Sequence, residues 1–183
     1  MSSAPDAGRA PTYAPTPSAA PAFVPAPQGG ANFVDYIAGG CQLNVAVAID
    51  FTGSNGDPRK PGTLHHLSGP GVRNDYERAI AAIVSILAKY DSDQMFPVYG
   101  FGAKYGGTVR HCFQCGGKEE HHGVAGVLDA YHQTFKSGLI MSGPTVFTEV
   151  IQTAGARAQS AQQAAMQSGS QCYSILLILT DGA

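Results

Sequence analysis

The stretch Leu43-Asn44-Val45-Ala46-Val47-Ala48-Ile49-Asp50-Phe51-Thr52-Gly53-Ser54-Asn55-Gly56-Asp57-Pro58 decides the fold. Its first seven residues form a short, nearly continuous apolar run, the pattern of a strand buried on both faces of a parallel sheet. The run passes directly into polar and turn-forming residues, so the strand ends in a loop at its carboxyl end. Further along, Asn74 or Asp75 is placed to cap a helix. Tyr76, Ile80, Ile83, Val84 and Leu87 then recur at helical spacing up to Lys89.

Met95 to Phe101 reads as the next strand, and Thr108 to Phe113 as a shorter one across a Gly-rich, hairpin-type turn. Val124, Val127, Leu128, Tyr131 and Phe135 mark a further short helix. Thr148 to Met166 reads as a long Ala- and Gln-rich helix, and Tyr173 to Thr180 as a second doubly buried strand. This order predicts an α/β fold, a doubly wound, mostly parallel sheet with helices on both faces. Ligands in such sheets bind at the carboxyl ends of the strands.

Three polar loops fall at that edge: Asp50 to Ser54, Gly143-Pro144-Thr145, and Thr180-Asp181-Gly182. Asp50, Thr52 and Ser54 stand two residues apart, so an extended start to the loop turns all three to one side, and Gly53 lets the backbone bend. Two Asp with hydroxyl side chains are hard oxygen donors, suited to Mg²⁺, Mn²⁺ or Ca²⁺ rather than zinc or copper.

Taken together, Asp-x-Thr-x-Ser, a distant Gly-Pro-Thr and a Thr-Asp-Gly after an apolar strand resemble the metal-ion-dependent adhesion site (MIDAS) of von Willebrand factor A domains. Phe33 to Ile37 with Gly39 to Asn44, the run Ala48 to Pro58, and Phe96-Pro97 before Gly100 to Ala103 resemble the copine branch of that group. The resemblance covers about Asn32 to the last residue. It implies that Asp50, Thr52, Ser54, Thr145 and Asp181 hold an ion, Mg²⁺ or Mn²⁺ with Ca²⁺ allowed, directly or through water. It leaves one coordination position for the Asp or Glu of a protein partner. The implied role is a non-catalytic interaction module associated with calcium-dependent phospholipid binding and membrane signalling. Copines usually carry two C2 domains ahead of the A domain; a Pro/Ala-rich segment stands there here, so membrane contact is expected only indirectly. The A-domain pattern continues through two more strands, so residues 32–183 read as a domain incomplete at its C-terminus, with the last strands missing. Two alternatives stand beside this reading: the A domain of a RING-type ubiquitin ligase, and an inactive fragment.

Composition narrows the field. A chain of 183 residues has room for one domain with a real core. A formal charge of −2 and 13% charged residues give no electrostatic reason to expect nucleic acid. Residues 1–31, with repeated Ala-Pro steps, read as a disordered tail or spacer. No signal-like segment opens the chain and the longest apolar run, Ile175 to Leu179, is too short to span a bilayer, which predicts a cytoplasmic location with recruitment to the plasma membrane as an extension. Cys41 and Cys172 read as small buried hydrophobes. Cys112 and Cys115 with His111, His121 and His122 offer zinc-type donors, but adjacent histidines diverge and no second Cys pair follows, so a surface loop is the expectation. Ser54 lies near Asp50 and Asp181 with no histidine placed beside it by element order; His65 and His66 fall further along the loop, so no catalytic set is expected and the protein reads as a non-enzyme. No phosphate-binding glycine loop is present in this sequence.

Overall fold

The computed structural model describes residues 33–69 and 71–182; the Pro/Ala-rich segment expected to be disordered lies outside the described residues. The elements are α1 (Phe33–Ala38), β1 (Gln42–Asp50), a single 3₁₀ turn (Gly53–Asn55), α2 (Asp75–Leu87), β2 (Met95–Phe96), β3 (Val98–Phe101), β4 (Ala103–Tyr105), β5 (Thr108–Arg110), β6 (Phe113–Gln114), β7 (His121–His122), α3 (Gly123–Lys136), β8 (Ile140–Met141), α4 (Thr148–Gln167) and β9 (Cys172–Leu179).

Strand β1 is the centre of a four-stranded sheet ordered β6-β3-β1-β9. It pairs parallel with β3 on one side and with β9 on the other, in a register that sets Asp50 against Phe101 and Ile49 against Leu179. Its side chains alternate between two cores. Leu43, Val45, Val47 and Ile49 pack with Ile80 and Val84 of α2 and with Val127 and Tyr131 of α3. Ala46 and Ala48 face the other way, with Tyr99, Phe101 and Val150 of α4. Helices therefore cover both faces, and the doubly covered middle of β1, Val45 to Ile49, is apolar at every position. Because β1 and β9 are parallel, their carboxyl ends meet at one edge, which brings the Asp50–Ser54 and Thr180–Gly182 loops together; the 143–145 loop follows β8 of a separate sheet and reaches them through a bridge between Ser142 and Thr52.

The start of α2 follows its capping chemistry. Asn74 Oδ1 accepts from the Glu77 backbone N–H at 2.8 Å, and the Glu77 carboxylate accepts from the Asn74 N–H at 2.7 Å, a reciprocal capping box. Helix α3, expected to be short, runs to 14 residues.

Three strand expectations need correction. Met95 to Phe101 is two strands: Pro97 has no N–H for a ladder, so β2 leaves to pair antiparallel with β7 while β3 stays in the main sheet. The Pro97 carbonyl still serves β1, accepting from Val47 N–H at 2.9 Å. Thr108 to Phe113 is likewise divided. Its first half closes a hairpin on β4 through Gly106 and Gly107, both at positive φ (63° and 84°), and Phe113 and Gln114 return to β3 as an antiparallel edge. Finally, β9 is not buried on both faces: only Leu179 of the strand, 8% exposed, is buried, because among the described residues β9 is the edge of its sheet, flanked by β1 alone.

Asn74 also donates to the Tyr131 hydroxyl at 2.9 Å, so it joins α2 to α3 as well as capping. Asn74→Ala is expected to lower the free energy of unfolding by about 2 kcal/mol. Urea denaturation should show this as a lower midpoint with an unchanged slope.

Candidate metal centre

Asp50 is the last residue of β1 and is fully buried. Its Oδ1 accepts from the Thr52 N–H at 2.8 Å and from the Thr52 hydroxyl at 2.6 Å, while Oδ2 accepts from the Thr180 hydroxyl at 2.7 Å. The carboxylate thus ties the end of the central strand to its own loop and to the residue that follows β9. Thr52 Oγ1 also accepts from Asn55 Nδ2 at 3.1 Å. With its own proton spent on Asp50, Thr52 Oγ1 receives the Ser54 hydroxyl, whose oxygen lies 3.1 Å away.

The second and third loops close on the first. Gly53 N–H donates to the Ser142 carbonyl at 2.5 Å, and Ser142 N–H to the Gly102 carbonyl at 3.1 Å. Thr52 and Ser142 form a parallel bridge. Thr145 follows on the same segment, half-buried; among the described residues no hydrogen bond joins its hydroxyl to Asp50, Thr52 or Ser54. Asp181, half-buried, follows Thr180 directly, and its charge acts on the same His65 and Tyr76 side chains as that of Asp50. Asp50, Thr52, Ser54 and Thr180 are therefore drawn together by direct bonds. Asp181 shares their electrostatic neighbourhood, and Thr145 stands on the adjoining segment.

Element order places His65 further along the loop and not beside Asp50; the structure puts it directly beneath. Its Nε2 lies 2.8 Å from the Asp50 carbonyl and its Nδ1 2.8 Å from the Tyr131 hydroxyl. A carbonyl only accepts, so Nε2 carries the proton; in the neutral ring Nδ1 then accepts from Tyr131, which in turn accepts from Asn74. The ring stacks on Tyr76 with centroids 4.1 Å apart and lies parallel to Phe51 at 5.5 Å. Burial in this aromatic layer lowers its pKa to about 4, against the weaker pull of Asp50 and Asp181. Both ring nitrogens are committed to partners other than Ser54. Tyr76 completes the base of the loop, its hydroxyl donating to Asn55 Oδ1 at 2.5 Å.

The Cys/His group is not the surface loop expected of it. Cys115 is fully buried in the core shared with α2 and α3, where burial pushes its thiol up to about 12. Cys112 packs against the core on the opposite face of the sheet. His121 Nε2 is 3.0 Å from the Cys115 carbonyl rather than on its sulfur. Among the described residues no three His, Cys, Asp or Glu side chains gather into a metal-binding group. The alternation of strand β6 and the turn before it separates the two thiols, a consequence of local pairing that Cys-x-x-Cys spacing does not reveal.

A central parallel sheet covered on both faces, with a buried Asp and hydroxyl side chains at the carboxyl ends of its strands, defines a von Willebrand factor A-type α/β domain. The copine family model matches residues 63–183, and the chain belongs to the copine family. It is 41% identical over 151 residues to Protein BONZAI 1 of Arabidopsis thaliana, covering 80% of this chain and 25% of that protein. It is 43% identical over 147 residues to Copine-B of Dictyostelium discoideum, covering 80% of this chain and 27% of that protein. The chain thus spans about a quarter of the length of the curated relatives it matches.

Two outcomes follow from the geometry. The unfolded chain protonates His65 near its ordinary 6.5, whereas the folded chain resists until about 4. The stabilisation is complete above 6.5 and is lost as pH falls through that window, by up to about 3 kcal/mol. Urea midpoints measured between about pH 6.5 and 5, above most carboxylate titration, should decline in the wild type and stay flat in His65→Gln. Separately, Gly102 has φ +77°, and a Cβ there would run into the Thr52 side chain. Gly102→Ala is expected to cost about 1–3 kcal/mol in the same assay, through backbone strain and displacement of Thr52.

Proposed function

We propose that this chain is a non-catalytic, metal-dependent protein-interaction module. Asp50, Thr52, Ser54, Thr145 and Asp181 would hold Mg²⁺ or Mn²⁺, with Ca²⁺ as a further candidate, directly or through water. The observation that carries the reading is the buried Asp50 carboxylate with hydroxyl groups on both of its oxygens and Ser54 beside them.

The donors fit the ion class. Oxygens on adjacent corners of a Mg²⁺ octahedron lie about 3 Å apart, and the Thr52–Ser54 oxygen pair stands at 3.1 Å. All of the side chains are hard donors, with neither sulfur nor imidazole nitrogen among them, which favours Mg²⁺, Mn²⁺ or Ca²⁺ over zinc. When bound, the ion would supply a positive centre with room for one carboxylate from a partner's Asp or Glu. The chain's own part is to hold the oxygens in place: Thr52 and Thr180 orient Asp50, and His65 fixes the Asp50 carbonyl from below.

The folding unit that carries this site is proposed to span residues 32–183. Its setting is proposed to be cytoplasmic, in calcium-dependent phospholipid signalling, with membrane contact through other parts of a longer protein. Among the described residues no helix is long and apolar enough to cross a membrane.

Calorimetric titration of Mg²⁺, Mn²⁺ and Ca²⁺ into the full chain tests the proposal. One saturable site is expected in the wild type, with loss of at least tenfold in affinity in the Asp50→Ala, Asp181→Ala double variant. Unchanged affinity in a double variant whose circular dichroism shows it folded would overturn the assignment.

A further inference from the structure

Beside the metal loop opens a cleft of about 1840 Å³, walled by Gly53 and Gly56, residues 57–59, 67–69 and 71–73, the start of α2, the end of α3, and β8. Its charge runs against that of the whole chain. The protein has 11 Lys and Arg against 13 Asp and Glu, yet the cleft is lined by Arg59, Arg73, Arg78 and Lys136 with only Asp57 and Glu77 opposed. Arg59 is held by Asp57 at 2.7 Å, Arg78 by Asp75 at 2.5 Å, and Glu77 by His132 at 2.6 Å. Among the described residues Arg73 and Lys136 are in no ion pair, and both are exposed. Leu67, Val72 and Ile140, which also line the cleft, are 39%, 59% and 63% exposed.

Apolar side chains left open to water beside unpaired cations describe a surface that gains from being covered, and that rejects a basic partner. We infer that this cleft docks an acidic segment of a partner protein, its Glu or Asp side chains meeting Arg73 and Lys136 and its apolar side chains meeting Leu67, Val72 and Ile140. Gly53 of the metal loop lines the cleft, so such a segment lies beside the metal loop; in that respect the inference rests on the metal-dependent reading and extends it to the residues around the metal-bound carboxylate.

The test uses fluorescence anisotropy of the full chain with a labelled peptide of Glu-Glu-Leu repeats and its Lys-Lys-Leu counterpart. The acidic peptide is expected to bind and the basic one not to. Raising salt is expected to weaken the binding, and Arg73→Glu with Lys136→Glu to weaken it roughly tenfold or more. Both side chains are exposed, so the variant should keep the wild-type circular dichroism and metal titration. Ile140→Asp, on an exposed wall, should also weaken the acidic peptide. Equal binding of the two peptides, no loss on charge reversal, or binding only to phosphatidylserine vesicles would overturn the inference. Self-association of the chain through the cleft, seen as a mass change abolished by the same variants, would overturn it too. The two proposals fail separately: acidic-peptide binding that survives in a chain with no metal affinity leaves the cleft standing and removes the metal-dependent reading.

Discussion

A buried carboxylate organises this domain. Asp50 ends the strand on which the whole sheet is built, and it has no exposure to solvent. An anion in that position is costly unless its oxygens are occupied by donors. The donors come from two directions, Thr52 on its own loop and Thr180 after the edge strand. Satisfying one charge therefore fixes the end of β9 against the end of β1 and folds the Asp50–Asn55 loop into its turn. The helices attach to the same point, α2 through Tyr76 and Asn55, and α3 through Tyr131 and His65.

Much of this was legible in the sequence because the relevant constraints are local. A strand buried on both faces has to be apolar where it is covered, and Val45 to Ile49 is. A capped amphipathic helix announces itself at both its cap and its apolar spacing, and Asn74 with Tyr76, Ile80 and Val84 does so. The oxygen donors of the candidate site cluster in short motifs whose places at strand ends follow from the order of elements.

What the sequence concealed depends on pairing across distance. Pro97 breaks a run that is apolar on both sides, and nothing local shows that β2 then finds β7. The apolar residues of β9 resemble those of β1, yet one is a central strand and the other an edge, a difference set by neighbours alone. His65 lies 15 residues from Asp50, across a Gly- and Pro-rich loop with no periodicity to place it. Its buried, neutral ring is specified by Phe51, Tyr76 and Tyr131, which come from the loop after β1, from α2 and from α3. Cys115 enters the core through the same kind of remote pairing.

The proposed metal centre and the basic cleft adjoin at Gly53, so the two surfaces read as parts of one acidic-partner site: a point of attachment and a groove that selects what surrounds it. The proposed ion would sit among the oxygens gathered by Asp50. Paramagnetic broadening of backbone amide resonances by substoichiometric Mn²⁺ would locate it. Broadening centred on Thr52, Ser54, Thr145 and Asp181 is the predicted result; broadening centred instead on His111, Cys112, His121 and His122, or none near Asp50, would contradict it.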